Sequence, residues 1–163
     1  VFVKTETGPW AWLQEAMLEA GMARAHSWRD NHARAGALLT AEAAARQAEL
    51  GVWATPAFAV LSPDSAAGAI EACQAAERRS CSQIVEGQIL AGRDNKGRTY
   101  LNFGADPMSD FTIAMDAETA AAWPGGAASL AGHRVRVRGY LSDRGGPLIR
   151  VDHAAQIEDL GAG

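Results

Sequence analysis

The chain has 163 residues, 48% of them hydrophobic and 21% charged, an ordinary globular composition that excludes wholesale disorder and a fibrous repeat. Lys and Arg number 15 against 19 Asp and Glu, a formal net charge of −4, so bulk electrostatics offers no attraction toward nucleic acid or anionic lipid, and any polyanion has to be held locally. No apolar run approaches the roughly 18 residues of a membrane span. Val rather than Met stands first, from which we expect a removed leader or a longer N-terminal part.

Val1-Phe2-Val3 reads as the end of a strand, and Glu6-Thr7-Gly8-Pro9 as a turn leading into a helix over about 9–20, with Trp10, Leu13, Met17 and Ala20 on one side and Gly21 at its end. Met22 to His26 alternates as a short strand does, and Ser27 to His32 is a polar loop. Thr40 has the character of an N-cap for a helix over Ala41–Leu50, closed by Gly51. Val52, Trp53 and Phe58 then form a cluster for that helix to pack on. Pro56 and Pro63 punctuate a connector, in which Asp64 or Ser65 caps a further helix through about Gln74 or Glu77.

From residue 84 the apolar period changes from about 3.6 to 2. Ile84–Arg93, Arg98–Phe103 and Asp110–Met115 read as three strands, the first two joined as a hairpin through Asp94-Asn95-Lys96-Gly97 and the third preceded by a Gly104–Ser109 turn with Pro107. A short helix at Ala117–Trp123 ends at Pro124-Gly125-Gly126, and His133–Leu141 and Leu148–Val151 are two more strands. Three strands, a helix and two strands are the order of a five-stranded OB barrel. Alternation turns Leu101, Phe103, Phe111, Ile113, Met115, Val135, Val137, Ile149 and Val151 inward.

Outward positions supply the binding candidates. Arg98, Tyr100 and Asn102 share one parity, and Arg134, Arg136 and Arg138 form a row on the fourth strand with Arg150 on the fifth, a pattern suited to a phosphate backbone or simply to a solvated face. Arg93, Lys96 and Arg144 add charge in neighbouring loops, and Tyr100 is the outward aromatic placed for base stacking. Trp28 is a second stacking candidate or a partly buried structural residue. Glu6, Glu15, Glu19, Asp30 and Glu42 are scattered as solvated surface charge rather than clustered for a cation, and neither His26 and His32 nor His133 and His153 has zinc-site spacing. Cys73 and Cys81 fit no CxxC or zinc pattern; they are either a disulfide, implying an oxidising compartment (periplasm or secretion), or two thiols, which leaves the cytoplasm open.

Val1-Phe2-Val3, "EAGMARAHSW" at 19–28 and "AEAAARQAELGVWA" at 41–54 resemble the C-terminal part of the staphylococcal nuclease-like (thermonuclease) family. "VEGQI", "YLNFG", "DFTI", "LAGHRVRVRGYL" and "GPLIRVDHAAQIEDL" within 84–160 resemble the extra domain that follows it in some bacterial members. The resemblance implies an α+β chain in three parts: the C-terminal half of a nuclease-like domain (1–58; two helices and short strands), a linker with a short helix (59–82), and a five-stranded OB-like β-barrel (83–163). It also implies calcium-dependent hydrolysis of DNA or RNA in the intact domain. The expected metal-holding and cleaving residues precede Val1, so no catalytic or metal residue is assigned here, and the strand at Val1–Lys4 is expected to be covered by an upstream segment or a partner chain. The rival expectation is a noncatalytic, nuclease-derived scaffold that binds protein through its OB surface.

Overall fold

A computed structural model describes residues 1–4, 8–76, 81–106 and 108–163. Glu6-Thr7 of the expected first turn, Glu77 as the farthest end of the third helix, and Pro107 lie outside the described residues. The chain folds as two compact units, Val1–Ala59 and Val60–Gly163.

In the first unit β1 (Phe2–Lys4) pairs antiparallel with β2 (Trp10–Trp12), Phe2 opposite Trp12 and Lys4 opposite Trp10. The helix expected from about residue 9 therefore begins only at Leu13, as α1 (Leu13–Glu19). Aromatic residues suit a ladder, and the backbone groups of β1 need partners. One edge of β1 is thus covered from within the unit, where an upstream segment or partner chain was expected to cover the strand.

The second helix, α2, spans Ala35–Gln47, so Thr40 lies inside it rather than at its start; its hydroxyl bonds back to the Gly36 carbonyl at 3.0 Å. Ala35, Ala37, Leu38 and Leu39 are strong enough helix formers to carry α2 upstream. Residues 22–26 form no strand; the Ala25 N–H instead donates to the Glu42 carboxylate. Glu42 is correspondingly buried, 0% exposed, and also accepts from Arg46 at 3.1 Å. Its expected place on the surface is thereby corrected: a buried carboxylate is sustained by hydrogen bonds and an opposite charge. Trp53, buried just beyond α2, has the Arg24 and Arg46 guanidinium groups 5.8 and 5.6 Å from its ring centre.

Two glycines join the ends of these helices. Gly21 and Gly51 both have positive φ (67° and 54°), and the Val52 N–H donates to the Gly21 carbonyl at 2.9 Å. A Cβ on Gly21 would meet the Leu50 carbonyl oxygen at 2.2 Å, and one on Gly51 the Gly21 carbonyl oxygen at 2.2 Å.

The second unit contains α3 (Ala66–Ala75), with Ser65 in the N-cap position, followed by β3 (Ser82–Gln88), β4 (Ala91–Asn95), β5 (Arg98–Asn102), β6 (Thr112–Asp116), α4 (Ala117–Ala120), β7 (His133–Asp143), β8 (Pro147–Val151) and β9 (Ile157–Ala162). Lys96 and Gly97 both have positive φ and make the two-residue turn between β4 and β5, the arrangement whose twist matches a hairpin. Asp116 caps α4 by accepting from the Thr119 N–H at 2.8 Å.

These strands form a mixed seven-stranded sheet in the order β3-β7-β8-β6-β5-β4, with β9 also on β7. All its ladders are antiparallel except β6 with β8. Two features depart from five strands: the expected first strand is divided into β3 and β4, separated by Ile89-Leu90, and β9 is added after β8. Every residue expected to turn inward is buried, and Ala66, Ile70 and Cys73 of α3 join the same core. Cys73 and Cys81 form a disulfide with a Cα–Cα distance of 5.8 Å, tying the end of α3 to the segment entering β3. No described helix is long and apolar enough to cross a membrane.

Candidate nucleic-acid interface

Alternation along β7 buries Val135 and Val137 and turns Arg134 and Arg136 to the opposite side. The register then places a carboxylate across from Arg136 on each side, Glu86 on β3 and Glu158 on β9. Arg134 and Arg136 reach Glu86 at 2.9 and 2.6 Å, while Arg136 and Arg138 reach Glu158 at 3.3 and 2.6 Å. The row expected to hold phosphate is therefore a charge ladder of three arginines and two glutamates, with Arg138 only 6% exposed. Partial burial opposes ionisation of Glu86, but hydrogen bonds from Arg134 and Arg136 outweigh it and hold the carboxyl below the ordinary glutamate range.

A different set of arginines lines an open groove. It consists of two adjoining hollows of about 320 and 530 Å³ that share Tyr100, Arg144 and Leu148. Arg93 lines the first hollow, and Arg98 and Arg150 the second. All four arginines are exposed, and among the described residues none is in an ion pair. The carboxylates in the lining have backbone partners: Asp110 accepts from the Asp106 N–H at 2.7 Å, and Asp116 from the Thr119 N–H.

Register makes a row across four strands. Arg93 on β4 is opposite Tyr100 on β5, Tyr100 opposite Ala114 on β6, and Ala114 opposite Arg150 on β8. Directly paired residues share a face, so the order is cation, ring, small residue, cation, over about 14 Å at ordinary strand spacing. Asn102, next on the Tyr100 face, and Asn95 add amide groups to the first hollow.

The structure thus brings Arg98 and Tyr100 together with Arg93, Arg144 and Arg150, and leaves Lys96 outside the groove lining. Trp28 lies in the first unit, 55% exposed, its ring edge-on to His26 at 4.4 Å. His133 contacts Asp159 at 3.0 Å, and His153 is hydrogen-bonded to Asp152. Among the described residues no three His, Cys, Asp or Glu side chains come together where a metal ion would sit.

Residues 3–55 match the family described as staphylococcal nuclease homologue. No curated protein matches the chain. The matched stretch runs from β1 through the turn that contains Trp53, so the nuclease relationship rests on the first unit, about a third of the chain.

Proposed function

We propose that this chain is part of a thermonuclease-like phosphodiester hydrolase acting on DNA or RNA, in which its first unit is the helical back half of the nuclease domain. The observation that carries this reading is the match of residues 3–55 to the nuclease family. Calcium and the cleaving groups belong, in this proposal, to residues outside these 163.

The second unit is an OB-like barrel in the same proposal. Its support is the ladder order: β3 and β4, at the two ends of the path, are consecutive in the chain, β6 and β8 pair in parallel, and α4 lies between β6 and β7. The added β9 is an extension of that arrangement.

A cleavage assay tests the hydrolase reading. A polypeptide carrying residues before Val1 should degrade DNA or RNA with calcium and stop when chelator is added, whereas the 163 residues alone should not. Calcium-dependent turnover by the 163 residues would overturn the assignment of the cleaving groups. A longer polypeptide without turnover would favour the noncatalytic scaffold that binds protein through the OB surface.

The Cys73–Cys81 bridge supports an oxidising compartment, periplasmic or secreted. Intact mass of protein taken from cells under acid quench should rise by the two hydrogens of reduction only after reductant is added; protein already reduced in the cell would place it in the cytoplasm.

A further inference from the structure

We infer that the Cys73–Cys81 bond is a redox catch on α3: a dithiol that reduces it frees the C-terminal end of the helix and uncovers apolar core, while the strands stay paired. Among the described residues α3 has little else to hold it in place. Of its ten residues, Ala66, Ile70 and Cys73 are buried and Ala69 is partly so, which leaves Ile70 as the one large apolar side chain that the helix gives to the core. A helix this short does not persist alone, and its stability comes mostly from the face it buries. Its ends add little. Ser65, in the N-cap position, makes no side-chain bond to the helix backbone and stands 2.9 Å from the Ser62 hydroxyl, and the last turn has no basic residue to meet the negative end of the dipole. Gly68, exposed and with nothing within 4 Å of the place of a Cβ, lowers the helix propensity further.

The two ends of α3 are tethered differently. Ahead of it, the Leu61 N–H donates to the Ile84 carbonyl and the Leu61 carbonyl accepts from the Glu86 N–H, both at 2.9 Å, so the chain entering the helix is pinned to β3 by its backbone. Beyond it, the Cys81 carbonyl accepts from the Leu141 N–H at 2.8 Å, which fixes Cys81 to β7, and Cys73 is joined to that fixed point through sulfur. The first tether is a pair of hydrogen bonds that no thiol breaks; the second is a bond that a thiol exchanges. α3 packs on β7 and β8, whose Val137, Leu141, Ile149 and Val151 belong to the same buried cluster as Ile70, so a helix swinging about Leu61 uncovers apolar surface there. In the reaction one thiolate of the dithiol attacks a cysteine sulfur to give a mixed disulfide, and its second thiol closes a cyclic disulfide; the reductant loses two hydrogens and Cys73 and Cys81 gain one each. Both cysteines are nearly buried, and Cys73 lies in the last turn of α3, so fraying of that turn is what admits the reductant. The catch depends neither on the compartment nor on the hydrolase reading.

Hydrogen exchange read by mass spectrometry on the 163-residue chain, before and after dithiothreitol, tests the catch, with completeness of reduction taken from the intact mass. After reduction the amides over 70–76 should exchange about tenfold faster or more, while those of β5 and β6 keep their rates. Cys73→Ala should show the same fast exchange without reductant. Gly68→Ala, which favours helix in open space, should slow exchange in the reduced protein. A dye that brightens on apolar surface should bind the reduced chain more than the oxidised one. The catch is overturned if α3 stays equally protected once reduction is complete, if the dye finds no new surface, or if every strand speeds up together, since the bond would then hold the whole fold rather than the helix. None of those results touches the hydrolase reading, which cleavage alone decides.

Discussion

The described arginines of the second unit divide between two surroundings. Arg134, Arg136 and Arg138 alternate along β7 beside strands that bring Glu86 and Glu158 across from the middle one, and they become part of the fold. Arg93 and Arg150 face a tyrosine and an alanine, Arg98 faces Asp116, and Arg144 follows β7; among the described residues none of the four is in an ion pair. Both sets satisfy the same rule that an outward strand position be polar, so alternation alone does not tell a structural arginine from a binding one. The ion pairs that each arginine makes do.

Removing a ladder carboxylate should have the largest effect on that contrast. Glu158→Ala leaves Arg138, nearly buried, without a carboxylate that stands 2.6 Å away, and should lower stability by about 3 kcal/mol, read from the shift of a urea unfolding midpoint. A loss below about 0.5 kcal/mol would mean that the ladder is an exposed ornament of the surface and that the two sets are alike.

Acid should probe the same ladder more gently. Glu86 titrates below its ordinary value of 4.5 in the folded protein, so its contribution is complete above that value and is lost as pH falls through the folded pKa. The urea midpoint should therefore drop between about pH 5 and pH 3, and Glu86→Gln should lower the pH 5 midpoint and flatten that part of the drop. An unchanged profile in the variant would assign the acid sensitivity elsewhere.

The smallest effect is expected in the groove. Arg150→Ala should leave the unfolding midpoint within about 0.5 kcal/mol of the parent, since no ion pair among the described residues is broken. A substantial destabilisation would show that the groove arginines are structural too, and would dissolve the comparison.

Much of the second unit was legible because a half-buried strand leaves a period of two, and because Lys96-Gly97 lies where a tight hairpin turn needs positive φ. β9 was not, because in Ile157–Ala162 only Ile157 is buried, and an edge strand with one buried residue writes no alternation. The partners of the β7 arginines were hidden for a related reason: Glu86 lies 50 residues from Arg136 in sequence, so charge matching is a property of register. In the first unit the hydroxyl of Thr40 suits a cap, and only the helix continuing upstream shows that it bonds to Gly36 instead. Burial of Glu42 depends on the Ala25 N–H, donated by a segment with no regular structure of its own. Arg98 and Tyr100 were identifiable as outward residues, but their company in the groove comes from β4, β8 and the turn after β7.

The apposition of Gly21 and Gly51 carries a consequence for recognising kin. At each position the backbone angle disfavours a side chain, and the facing carbonyl independently leaves no volume for one. Two separate prohibitions on the same atom make the pair harder to erode over evolutionary time than the alanines around it, since relief of one would still leave the other in force. A search for distant homologues of this unit is therefore better anchored on the two glycines and the tryptophan after the second than on the helices they terminate.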